Sequence, residues 1–190
     1  LDGNMNAGAN DIFLAKYDSS GNKIWTKQLG TQGNDVIDAM AIDTSSNVYL
    51  TGETDGSLDG NTNFGGNDIV LVKYDFTGNK IWTKQFGTSS NDLSRGVICD
   101  NSGNIYITGY TNGGLDGNIN LGGLDIFITK FNSAGIKVWI KQIGTNNNDL
   151  GNSITTDSAN NIYITGYTQG ALDGNFSFGS ADIFLIKCSP

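Results

Sequence analysis

The tetrapeptide Leu-Asp-Gly-Asn begins at residues 1, 58, 115 and 172 of this 190-residue chain, so the sequence repeats every 57 residues without insertion or deletion. A fixed period of this kind outranks local signals, because a repeated unit must bury its faces against copies of itself. Asp11, Asp68, Asp125 and Asp182 share the register, as do Trp25, Trp82 and Trp139, and Gly52, Gly109 and Gly166. About 33 of the 57 positions are identical between the first two units. The units are residues 1–57, 58–114 and 115–171; residues 172–190 hold a partial fourth, long enough for its first strand.

Each unit reads as four short strands, at residues 11–17, 23–29, 36–42 and 48–54 of the first copy. Between the first two stands Asp18-Ser19-Ser20-Gly21-Asn22, where aspartate bonds its own backbone and glycine accepts a positive φ; residues 43–47 repeat the device. Ile12, Phe13, Leu14 and Ala15 are apolar in succession, as in a strand covered on both faces. Stacked copies of the unit supply that cover. With 27 glycines and 16% charged residues, the composition agrees with many short strands and tight turns, and no window carries a helical apolar period. The expected fold is all-β: a β-propeller-type array of four-stranded antiparallel blades, three full repeats plus one extra strand. A parallel β-helix spends fewer residues per coil and suits the unit less well.

Residues 66–75 (GNDIVLVKYD), 78–82 (GNKIW) and 100–109 (DNSGNIYITG) make the chain resemble bacterial extracellular proteins with SBBP, or seven-bladed β-propeller, repeats. That resemblance covers essentially the whole chain. It implies the fold and a secreted or cell-surface location, and little about activity. Asp75-Phe76-Thr77-Gly78, followed by Trp82 and Gly87, is also similar to the tryptophan-docking repeat of quinoprotein-type propellers. This second likeness supports the fold only, since quinone enzymes need a full ring and a cofactor pocket.

Closed propellers take roughly four to eight blades, more than three units and a strand provide. Three explanations stay open: a piece of a longer array, several chains joined into a ring or filament, or a terminal strand at 182–188 that completes a blade in a neighbouring unit. Leu1 opens on a repeat boundary without a signal-peptide pattern, as in a mature or excised segment. No apolar run is long enough to span a bilayer, so membrane insertion is not expected.

The net charge of −8 repels nucleic-acid phosphates and suits divalent cations or basic partners. The chain has no histidine, hence no ordinary catalytic triad, imidazole base or histidine-ligated zinc. The repeated carboxylates recur in every unit, whereas an active site is normally singular. No enzyme activity is expected. Cys99 and Cys188 occupy non-equivalent positions and read as unpaired thiols, buried or partly so.

The sharpest local pattern is the loop before each first strand, spaced D-x-N-x-N-x-G-x-x-D. It runs Asp2, Asn4, Asn6, Gly8, Asp11; then Asp59, Asn61, Asn63, Gly65, Asp68; then Asp116, Asn118, Asn120, Gly122, Asp125. A fourth copy reads Asp173, Asn175, Ser177, Gly179, Asp182, with serine in place of the second asparagine. Alternating oxygens closed by a carboxylate suit a hard cation such as Ca²⁺. Equally, Asp and Asn in glycine-rich loops form Asx-turns and cap backbone groups without any ion, and two carboxylates per loop are few for calcium. Both readings stay open, the capping one ahead.

Trp25, Trp82 and Trp139, flanked by Ile24, Ile81 and Val138, are expected to pack between blades, as are Tyr49, Tyr106 and Tyr163. Lys16, Lys73, Lys130 and Lys187 should meet aspartates or backbone carbonyls at blade edges. The most variable stretches between units, residues 32–40, 89–97 and 146–154, fall at equivalent places and mark a candidate binding rim. The function expected is that of a non-catalytic extracellular or surface repeat protein with a structural, adhesive or assembly role. It is expected to engage protein partners or copies of itself through unpaired terminal strands. The alternative is a ligand- or glycan-binding, lectin-like module.

Overall fold

The computed structural model describes residues 3–189. Among them are thirteen strands: β1 (Ile12–Tyr17), β2 (Lys23–Leu29), β3 (Asp35–Ile42), β4 (Val48–Thr54), β5 (Asp68–Tyr74), β6 (Lys80–Phe86), β7 (Asp92–Cys99), β8 (Ile105–Thr111), β9 (Asp125–Phe131), β10 (Lys137–Ile143), β11 (Asp149–Thr156), β12 (Ile162–Thr168) and β13 (Asp182–Cys188). One-turn 3-10 helices at Leu58–Gly60, Leu115–Gly117 and Leu172–Gly174 are the only helical residues among those described. The strands form four antiparallel sheets, ordered β1-β2, β3-β4-β5-β6, β7-β8-β9-β10 and β11-β12-β13.

The all-β array of antiparallel blades expected from the sequence is present. Its phase is a new finding. Each complete sheet takes the last two strands of one 57-residue unit and the first two of the next. The Leu-Asp-Gly turn explains this, because it joins two strands that pair along their whole length, Val48 opposite Tyr74 through Thr54 opposite Asp68. The link after β2 instead carries the chain to the next sheet. β13 is no loose end within the chain: it pairs with β12 from Ile162–Cys188 to Thr168–Asp182.

Hairpin turns set the strands by local chemistry. Asp43 Oδ1 accepts the Ser45 and Asn47 amides at 2.8 and 2.9 Å, and its Oδ2 accepts Asn47 Nδ2 and the Tyr49 hydroxyl. Asp100 and Asp157 repeat the turn with Asn104 and Tyr106, and with Asn161 and Tyr163. Sheets then stack through a constant pairing of faces. Ile12 of β1 packs on Val70, Val72 and Tyr74 of β5; Ile69 and Leu71 of β5 pack with Phe127 and Phe131 of β9; Ile128 of β9 packs with Phe184 and Ile186 of β13. Burial of such side chains stabilises by roughly 1.5–3 kcal/mol each.

Trp25, Trp82, Lys16 and Lys73 lie between blades, as their positions predict, while Lys130 and Lys187 rest over Tyr106 and Tyr163 of their own sheets. A Cβ on Gly78 would fall 2.8 Å from the Trp25 ring, and one on Gly135 would fall 2.9 Å from Trp82, so each indole lies on a turn glycine of the next blade. Lys16 Nζ donates to Phe76 O at 3.0 Å and Lys73 Nζ to Ser133 O at 3.2 Å, tying the same successive blades. Both thiols are unpaired and partly buried.

Candidate functional site

Each of the three larger sheets starts at one edge with a strand made alike: β3, β7 and β11 follow one another in contact, whereas β6 and β10 stand at the far edges. The inner strands therefore converge and the outer ones diverge, as in a sector of a propeller. A repeated carboxylate anchors each inner strand. Asp35 accepts the Thr31 amide at 2.6 Å, the Thr31 hydroxyl at 3.0 Å and the Thr54 hydroxyl at 2.5 Å. Asp92 is held likewise by Thr88 and Thr111, and Asp149 by Thr145 and Thr168. All three carboxylates are buried and satisfied, so their role is structural.

Three residues past each anchor the strand bulges. The pairing steps from Ile37–Gly52 to Ala39–Thr51, leaving Asp38 as the extra residue. In β7 it steps past Arg95, and in β11 past Asn152. The bulge pushes a carbonyl against the neighbouring strand, where only glycine fits: a Cβ on Gly52, Gly109 or Gly166 would lie 1.9, 2.0 or 1.8 Å from the oxygen of Val36, Leu93 or Leu150. A bulge re-aims its extra side chain out of the sheet alternation. Constant backbone thus presents a different side chain on each blade: an acid, a base, then an amide.

The residue after each of these glycines, Glu53, Tyr110 or Tyr167, also varies. On the first two blades the four side chains form one cluster. Arg95 Nη1 lies 2.7 Å from Asp38 Oδ2 and 3.9 Å from Glu53 Oε2, and its Nη2 donates to the Tyr110 hydroxyl at 2.9 Å. Its guanidinium also rests over the Tyr110 ring, 5.4 Å from the centroid. Glu53 is only 9% exposed and its Oε2 has no hydrogen-bond partner. Burial, with the hydrogen bond and charge of Asp38 added, pushes Glu53 up to about 8 against the pull of Arg95. Nothing comparable occurs on the third blade, where Asn152 is exposed.

The variable stretches contain these bulges, so the sequence did point to the rim; it carried no sign of the bulge that aims the residues. The Asp–Asn loops lie elsewhere, at the entrance to β5, β9 and β13. Asp59 turns outward to Lys80 Nζ and the Thr83 hydroxyl on β6. Asp68 turns inward, accepting the Phe64 amide and Gln85 Nε2 at 2.8 Å each. Asn61 donates to Leu58 O at 2.8 Å, while Asn63 donates to Asp55 O at 2.6 Å and accepts the Gly65 amide at 2.8 Å. The loop thus parts its two carboxylates and spends its amides on Asx-turns.

The third copy does the same: Asp116 pairs with Lys137, Asn118 donates to Leu115 O, Asn120 accepts the Gly122 amide, and Asp125 accepts Leu121 N and Gln142 Nε2. In the first copy Asp2 lies outside the described residues; Asn6 accepts the Gly8 amide, and Asp11 accepts Ala7 N and Gln28 Nε2. In the fourth, Asn175 donates to Leu172 O, Ser177 to Gly179 O, and Asp182 accepts Phe178 N. Among the described residues no three Asp, Glu, His or Cys side chains come together. In three of the four loops one carboxylate oxygen, Oδ1 of Asp11, Asp68 or Asp125, is buried without a donor and abuts Gly30, Gly87 or Gly144, where a Cβ would fall 2.2, 2.3 or 2.1 Å away.

Residues 24–59, 81–116 and 138–172 match the β-propeller repeat SBBP. The chain belongs to the SBBP β-propeller repeat family. Each matched stretch runs from the start of the second strand, through the bulged inner strand, to the Leu-Asp-Gly turn. An uncharacterized WD repeat-containing protein of Acanthamoeba polyphaga mimivirus is 27% identical over 184 residues, covering 81% of the chain. The regulatory protein FlaEY of Caulobacter vibrioides is 25% identical over 174 residues, covering 84%. The chain spans 13% and 18% of the lengths of these two relatives. A crystal structure of a protein of unknown function from Bacteroides caccae superposes with a TM-score of 0.49 at 8% identity, over 82% of this chain and 50% of that one.

Proposed function

We propose that this chain is a non-catalytic interaction scaffold, in which repeated blades hold a variable row of side chains, Asp38, Arg95 and Asn152, for a protein partner. The observation that carries it is the bulge: one backbone device in three inner strands, with a different residue on each. A constant framework with variable tips suits recognition by surface. The non-catalytic reading is supported by the chemistry of the remaining groups. Burial pushes the Cys99 thiol up to about 12, away from thiolate reactivity, and the chain has no histidine. The setting we propose is extracellular or on a cell surface, as in the SBBP proteins that the sequence resembles.

Selection of a displayed peptide library on the immobilised chain tests this reading. Binders should weaken about tenfold, about 1.4 kcal/mol, against Asn152→Arg or Asp38→Ala, and should keep their affinity for Lys84→Ala on β6. Binders indifferent to both inner-edge changes would overturn it.

A further inference from the structure

Glu53 lies on the face of β4 that the next sheet covers. It shares that face with Tyr49 and Thr51, both fully buried, and the Thr51 hydroxyl donates to Ser94 Oγ on β7 at 2.8 Å. The surroundings of Glu53 are therefore set between two complete four-stranded sheets. To it β3 presents Asp38, β7 presents Arg95, and β5 presents the uncharged Ile69, its pair across the ladder. Tyr110 on β8 reaches the group only through Arg95. Two carboxyl groups can bond each other only through a proton, so the hydrogen bond between Glu53 and Asp38 holds one. With both ionised, the buried Glu53 Oε2 has no donor, and Arg95 Nη1 at 3.9 Å is too far to be one.

Charge around this cluster is one-sided. Every lysine on a strand stands on β1, β2, β5, β6, β9, β10 or β13. The strands β3, β4, β7, β8, β11 and β12 carry Asp35, Asp38, Glu53, Asp92 and Asp149 against Arg95 alone. The inner side of the sheets thus holds no second cation for the unmet carboxylate, and its field favours a basic guest.

Building on the partner-binding reading above, we propose that the Asp38–Glu53 pair seats a lysine or arginine side chain of the protein partner, which takes the place of the shared proton. Glu53 gives up its proton to solvent, and both carboxylates then accept N–H bonds from the arriving cation. Such charge-assisted bonds are among the stronger ones. The guest approaches through Asp38, whose side chain is 24% exposed. A divalent metal ion suits the place less well, because only two carboxylates converge and a guanidinium already stands 2.7 Å from one of them. Binding is then linked to pH. The free pair keeps its proton up to about 8 and the complex has none, so affinity rises with pH and levels off above that value.

Peptides selected on the chain from a displayed library, and kept if Asp38→Ala weakens them, test the proposal. Each should carry a lysine or arginine whose replacement by norleucine weakens binding about tenfold or more. Synthetic versions, acetylated, amidated and free of histidine, leave only the site to titrate. Their affinity in isothermal calorimetry should rise about tenfold per pH unit from roughly pH 5 to 7, then level off. At neutral pH, titrations in buffers of different ionisation enthalpy should show release of about one proton per peptide bound. Glu53→Gln has no proton to give, so its affinity should be flat over the same range and its proton release nil, with melting curves confirming that it folds. Should it fail to fold, the proton count and the norleucine exchange on the wild type decide alone. Peptides that depend on Asp38 yet carry no basic residue, tolerate norleucine, or bind without releasing a proton would overturn the proposal and leave the partner-binding reading standing. A library yielding only peptides indifferent to the inner-edge changes would instead remove that reading, and this inference with it.

Discussion

Asp92 and Glu53 are both buried carboxyl groups, at 0% and 9% exposure, held in quite different ways. Asp92 has equivalents on neighbouring blades and brings its donors with it, two from Thr88 and one from Thr111. Glu53 has tyrosine at the equivalent positions, its Oε2 lacks a donor, and its one basic neighbour, Arg95, is 2.7 Å from Asp38 but 3.9 Å from Glu53. A buried polar group that recurs with a full set of partners belongs to the framework; one that occurs once with an incomplete set is available to something else.

The contrast is broken hardest at Asp92. Asp92→Ala removes the acceptor of the buried Thr111 hydroxyl and of the part-buried Thr88 hydroxyl and amide, and should cost about 3 kcal/mol in urea denaturation; a loss under 1 kcal/mol would remove Asp92 from the framework. Next comes the bulge. In Gly109→Ala the added Cβ meets Leu93 O at 2.0 Å, so overpacking of about 2 kcal/mol is expected, with the position of Arg95 disturbed. Denaturation curves and the affinity of inner-edge binders should change together.

A smaller effect is predicted for Glu53→Gln, through its pH dependence. Because the folded-state value is raised from 4.5 to about 8, the ionised form opposes folding. Wild type should lose stability as pH rises from 4.5 through 8, and the glutamine variant should not. Melting temperatures should therefore agree near pH 4 and favour Glu53→Gln at pH 9, as rough bounds of that window. Equal slopes for the two proteins would mean that Glu53 ionises normally. Smallest of all is the effect of calcium. With the loop carboxylates parted between Lys80 and Gln85, adding calcium to chelator-treated protein should leave the melting curve where it was. A clear upward shift would return these loops to the list of ion sites.

Much of the fold was legible in the letters. Strands expected at 11–17 and 36–42 appear as Ile12–Tyr17 and Asp35–Ile42, and those at 23–29 and 48–54 appear at those bounds. Turn chemistry acts over two to four residues, as in the bonds from Ser45 and Asn47 to Asp43, so it can be read locally. Packing of Trp25 and Trp82 between blades agreed with the reading of their apolar flanks. The candidate rim was legible only as variability; that Asp38, Arg95 and Asn152 are the bulged residues was not. A bulge depends on a glycine across the ladder, fourteen residues away, and no local pattern at residue 38 announces it.

The sequence by itself determined the 57-residue period, the strands and their turns, and membership of a blade-forming family, because these follow from short-range propensity and repetition. Tertiary structure decided the rest. It placed each sheet across two sequence units, since pairing partners are chosen between distant strands by long ladders of hydrogen bonds. It sent Asp59 and Asp68 of one loop to opposite sides, because the outer strand offers a lysine to one and a glutamine to the other.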